Sequence, residues 1–151
     1  METMKTYKDK ISLISLSRKK ADFQKAQIVS SKDAAEYARK FYGDDIDIFE
    51  STFIVLLNRA NTTIAYAKIS QGGVCGTVVD PLIIAKYAVE TLAKGVILVH
   101  NHPSGNLRAS EQDIAITKKV KQGLQLFDCS LLDHIILSDS GYYSLVDNGD
   151  M

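Results

Sequence analysis

Cysteine is scarce in this chain. There are two, Cys75 and Cys129, with no Cys-x-x-Cys pair and neither in a metal-ligand spacing. That usage fits a reduced, intracellular compartment in which both thiols are buried structural groups. Net charge is missing too, since 18 basic side chains balance 18 acidic ones. A neutral chain has no general attraction for nucleic acid. Long apolar runs are also absent. None approaches the roughly 20 residues of a membrane span, and residues 11–16 are too short and too serine-rich for a secretory core. The expected location is therefore the cytoplasm, away from any membrane. No internal repeat, low-complexity tract or second domain is visible, and 151 residues suffice for one domain with a real core.

What is present is a regular alternation of elements. Residues 1–29 read as a basic arm or short edge strand, with an excess of four positive charges over residues 1–25. A helix follows, capped by Ser30 or Ser31, carrying Ala34, Ala38 and Phe41 at helical spacing and stopped by Gly43. Two apolar segments, residues 53–57 and 62–69, flank Asn58-Arg59-Ala60-Asn61 and predict a β-hairpin. If the first strand is regular, parity puts Ile46, Ile48, Glu50, Thr52 and Ile54 on one face. Read that way, Glu50 lies on a partly apolar surface; if the strand begins after it, Glu50 is solvated. Asp80-Pro81 starts a second helix with an apolar stripe of Leu82, Ala85, Ala88, Val89 and Leu92, ended by Gly95. Residues 110 to about 124 predict a third helix, resting on Ile114, Ile116, Val120 and Leu124. Strands at 130–137 and 142–146 complete the domain, leaving a polar tail at 148–151.

The chemistry concentrates in one stretch. Val96-Ile97-Leu98-Val99 reads as a buried strand, and it runs into His100-Asn101-His102-Pro103-Ser104-Gly105. In extended backbone, residues two apart point the same way, so the two imidazoles converge. A turn then leads to Ser110, the expected cap of the third helix, with Asp113 three residues on. Two imidazoles and a carboxylate are a catalytic zinc set that leaves a fourth position free. The alternative for Ser110 and Asp113 is an acidic capping box, and the two roles are compatible. His134, the third histidine, sits beside Asp133 within a strand and reads by default as a buried, hydrogen-bonded structural group, the alternatives being support of the metal ligands from behind or a substrate contact.

His-x-His-Pro followed by Ser-x-x-Asp resembles the signature of the JAMM (MPN+) metalloproteases. The longer wording Val-His-Asn-His-Pro-Ser-Gly-Asn resembles the RadC branch, as do residues 131–137 and Gly141-Tyr142-Tyr143-Ser144. Leu107 and Ala109 depart from a family pattern that often has proline there. The resemblance covers residues 30–147. It implies a mixed, largely antiparallel sheet flanked by helices, of the cytidine-deaminase-like kind, within the α/β class. It implies one Zn²⁺ per chain on His100, His102 and Asp113. Glu50 matches the family's general base, and Ser110 its oxyanion donor. The implied reaction is hydrolysis of a peptide or isopeptide bond in an unknown protein substrate. Isolated domains of this kind often pair, which leaves room for a homodimer.

Two other readings compete. RadC-like proteins carry a DNA-repair label, so the chain also reads as an accessory or DNA-binding module without hydrolase activity. Residues 1–30 are too short for the helix-hairpin-helix region of full RadC, and the neutral charge gives no duplex footprint. A nuclease reading of His-Asn-His fails because those residues are adjacent, whereas ββα-metal nucleases separate them.

Overall fold

The computed structural model describes residues 4–73 and 78–151. Its elements are α1 (Ser31–Arg39), β1 (Ser51–Leu57), β2 (Thr63–Gln71), α2 (Pro81–Glu90), β3 (Gly95–Asn101), α3 (Glu111–Gln125), β4 (Ser130–Leu137) and β5 (Tyr142–Ser144). The five strands form one sheet in the order β2-β1-β3-β4-β5. Only β3 and β4 run parallel, joined by the crossover through α3; every other pair is antiparallel. This is the expected mixed α/β architecture.

Strand parity divides the core into two layers. Val55, Leu57, Ile97, Val99, Ile135 and Leu137 face α1. Ile54, Leu56, Val96 and Leu98 face α2 and α3, meeting Ile84, Ala88, Val120 and Leu124. β1 and β3 are buried along their whole length because both faces are covered, which is why they read as unbroken apolar runs.

Several expectations are refined. α1 ends at Arg39 rather than Tyr42, and single turns carry the chain on to Tyr42. Residues 44–48 form turns, so the parity that includes Ile46 and Ile48 fails there. Ile46 instead packs on the α1 side, opposite Ile54. In α2 the stripe is displaced: Ile84 and Ala88 are buried, whereas Leu82 and Leu92 are 72% and 81% exposed. That helix is apolar on nearly every side, so periodicity does not single out the face that packs. In α3, Thr117 takes an inward position and Ile114 is only half-buried. α2 also ends before Gly95, which opens β3 instead.

Residues 4–22 are exposed and lie in no helix or strand. The chain docks from Phe23, which contacts Phe41 and Tyr66. Gln27 then makes a single bridge to Thr62. At the other end the polar tail is held: Asp150 N–H donates to Leu145 O, and Met151 packs on the α2–α3 layer. Cys129 is buried and free, its thiol pushed up by burial against the opposing charge of Lys94. Cys75 lies outside the described residues. No helix among the described residues is long and apolar enough to cross a membrane.

Gly95 begins the central strand where β3 passes under Leu132. A Cβ at this position lands 2.8 Å from Leu132 Cδ1. Leu132 is partly exposed and can swing away, so Gly95→Ala is expected to cost about 1 kcal/mol, the low end for overpacking. Urea denaturation checks this.

Candidate metal centre

The C-terminal end of β3 delivers the two histidines. His100 and His102 share a face, as extended backbone requires, and the main-chain N–H of His102 donates to Leu137 O on β4 (2.8 Å). After Pro103 the chain turns through Gly105, whose φ of 81° lies in the left-handed region open to glycine. Ser110 caps α3, its Oγ accepting from Asp113 N–H at 3.1 Å. Asp113 Oδ2 accepts from Ser110 N–H at 2.7 Å. The acidic capping box therefore exists, and it also aims Asp113 at the histidines. Asp113 Oδ1 lies 3.3 Å from His100 Nε2, and Oδ2 lies 3.5 Å from His102 Nε2.

Glu50 arrives from the other side. β1 begins at Ser51, just after it, yet the side chain is not solvated. It is 17% exposed, and its Oε1 stands 3.7 Å from His100 Nε2. Ligand atoms of Glu50, His100 and His102 all lie within 4.8 Å of one another. Two triads thus share the histidine pair, one closed by Asp113 and one by Glu50. They line a cleft of about 390 Å³ together with Ser110 and His134, walled in part by Val78, Val79 and Ile116.

Three further residues hold this arrangement: Asn101 and Thr117, which the sequence does not single out, and His134, which reads there as structural by default. Asn101 sits between the histidines but points to the opposite face and is fully buried. Its Oδ1 accepts from Ser51 N–H at 2.8 Å, and its Nδ2 donates to Phe49 O at 2.8 Å and to Ile46 O. It therefore clamps the segment that presents Glu50. Strand parity already signals that Asn101 points away from the histidines. The other two stand behind the centre, where Thr117 contacts His134 and His134 in turn contacts His100. Nothing local in sequence marks them, because β4 reaches β3 only through the crossover.

The proton arrangement suits a cation. His102 Nδ1 lies 2.6 Å from Asn106 O, a carbonyl that can only accept, so the neutral ring turns a bare Nε2 inward. That Nε2 is 2.8 Å from His100 Nε2. Two lone pairs at this separation repel unless a proton or a metal ion lies between them. When protons on the inward nitrogens stand in a cation's place, burial disfavours the charge on Asp113, but His100, His102 and the Ser110 N–H prevail and hold its carboxyl well below the usual range. The same Asp113 contact, against burial, raises His102. Thr52 Oγ1 on the cleft wall is buried without a hydrogen-bond partner among the described residues. Imidazole nitrogens, carboxylates and an unsatisfied hydroxyl in one cleft fit a divalent transition metal such as zinc.

Fold and site together define a JAB/MPN-type α/β domain with a candidate metal-binding cluster at the end of its central strand. The chain belongs to the RadC-like JAB domain family, whose model matches residues 28–150. It is 42% identical over 123 residues to a UPF0758 protein of Flavobacterium johnsoniae, covering 82% of this chain and 53% of that one. A UPF0758 protein of Coprothermobacter proteolyticus is 40% identical over 124 residues, with coverage of 81% and 53%. One from Streptococcus sanguinis is 36% identical over 128 residues, with coverage of 85% and 56%. The chain spans about half the length of these curated relatives, and none of the three names states an activity.

Proposed function

We propose that this domain is a zinc-dependent hydrolase of the JAMM type, acting on a peptide or isopeptide bond. The observation that carries the proposal is the pair of inward Nε2 atoms 2.8 Å apart, flanked by two carboxylates in one cleft. In this reading His100, His102 and Asp113 hold one Zn²⁺ per chain. Asp113 is assigned the ligand role over Glu50 because it approaches both histidines and is fixed by the helix cap. Two imidazoles favour zinc over the hard cations magnesium and calcium. When bound, zinc lowers the pKa of a coordinated water towards about 7 and polarises the substrate carbonyl.

The remaining work falls to the chain itself. No hydrogen bond from a described residue engages the Glu50 carboxylate, and it faces the cleft beside the histidines. It takes the proton from the hydrolytic water and delivers it to the leaving amine. Ser110 accepts from Asp113 N–H through an oxygen lone pair, which frees its hydroxyl proton to donate to the developing oxyanion. The apolar wall of Val79 and Ile116 restricts water and strengthens both interactions.

The test uses quenched-fluorescent peptides and isopeptide-linked substrates with the full chain. Cleavage is expected with zinc, lost with chelator and restored when zinc is returned. Stoichiometric zinc with no cleavage of either bond type contradicts the hydrolase assignment.

A further inference from the structure

His134 reads from sequence as structural by default, with support of the metal ligands or a substrate contact as the alternatives, and its contacts link one side of the centre to the other. It is buried on β4, where it pairs with Leu98 in the parallel register. Its Nε2 lies 2.7 Å from His100 Nδ1. Its Nδ1 lies 2.7 Å from Thr117 Oγ1, and the Thr117 hydroxyl donates to the main-chain oxygen of Asp113. A buried path therefore runs from His100 through His134 and Thr117 to Asp113, joining two of the assigned ligands behind the cleft.

The chemistry of each atom sets the direction of the path. A carbonyl oxygen only accepts, so the single Thr117 proton is committed to Asp113 O. Thr117 Oγ1 then accepts from His134 Nδ1–H. A neutral imidazole with its proton on Nδ1 has a bare Nε2, which accepts from His100 Nδ1–H. That leaves the lone pair of His100 Nε2 facing Asp113, Glu50 and His102. Asn106 O does the same for His102 from the open side. Each histidine thus has its outer nitrogen fixed and its inner nitrogen exposed to the site, the arrangement metal-ligating imidazoles require.

We infer that His134 is a positioning residue: through Thr117 it fixes the His100 tautomer and ring orientation so that Nε2 is presented to the metal. This rests on the zinc reading above and adds a requirement to it. The role differs from core packing. A side chain that only fills the space is insufficient, whereas an acceptor in the same place is sufficient.

Zinc affinity is measured by chelator competition on the full chain, with circular dichroism and thermal unfolding confirming the fold of each variant. His134→Leu is expected to weaken zinc by about 10- to 100-fold. His134→Gln, whose carbonyl can accept from His100, is expected to stay within about threefold of wild type. Thr117→Val, which removes the group that orients His134, is expected to move in the direction of the Leu variant. Long-range ¹H–¹⁵N NMR of the zinc-loaded wild type is expected to place the His134 proton on Nδ1, and it gives an answer even if a variant fails to fold. A wild type that binds no zinc overturns the zinc reading and this inference with it. A wild type that binds zinc overturns only the inference if His134→Leu folds and binds equally well. The same holds if His134→Gln loses as much affinity as His134→Leu, or if His134 carries its proton on Nε2.

Discussion

Glu50→Gln is expected to keep about one zinc per chain and to lower amide hydrolysis by at least about 10²- to 10⁴-fold, the usual contribution of a general base. Glutamine occupies nearly the same volume and retains an acceptor oxygen, so the cleft wall survives. What it lacks is a site that takes up a proton and releases it again. The assignment separates the two carboxylates by their surroundings. Asp113 has its second oxygen held by Ser110 N–H and approaches both imidazoles, whereas Glu50 approaches only His100, at 3.7 Å. Metal analysis and kinetics on one preparation check the split. If Glu50→Gln loses its zinc while Asp113→Asn keeps it, the roles are reversed and the triad of Glu50, His100 and His102 is the ligand set.

The second large effect concerns a residue outside the cleft. Asn101→Ala is expected to destabilise the fold by about 3 kcal/mol, because it leaves Ser51 N–H, Phe49 O and Ile46 O without their buried partner. Those three groups bracket Glu50. Hydrolysis by the folded variant is therefore expected to fall as well, while zinc binding, which depends on the opposite face of β3, changes little. Urea denaturation measures the first effect and chelator competition the second. Loss of stability without loss of hydrolysis in the folded fraction removes Asn101 from any part in placing Glu50.

The elements of this centre differ in how much of their geometry is local. His100, His102, Ser110 and Asp113 lie within one strand-turn-helix unit. Strand parity and helix capping alone bring them to one place, so the sequence reading identifies them together. Glu50 sits beyond a strand boundary, and its side chain is directed by a turn that Asn101 clamps from 51 residues away. Parity through Ile46 and Ile48 fails for the same reason, and resemblance to a family supplies what periodicity does not. His134 and Thr117 depend on the parallel pairing of β3 with β4, whose register no local pattern records. Thr117 also falls on the buried face of a helix where apolar neighbours dominate the reading. The misplaced stripe of α2 has a different cause: with Leu82, Ile83, Ile84, Ala85, Tyr87, Ala88 and Val89 in succession around Lys86, too many faces qualify.

The central claim is that the inward histidine pair holds a metal. It is tested most directly by elemental analysis of purified wild type and His102→Ala, prepared without added metal and again after zinc is supplied. About one zinc per wild-type chain, absent from the mutant under both conditions, is the predicted result. No metal in the wild type even after zinc is supplied contradicts the account, and the hydrolase proposal falls with it.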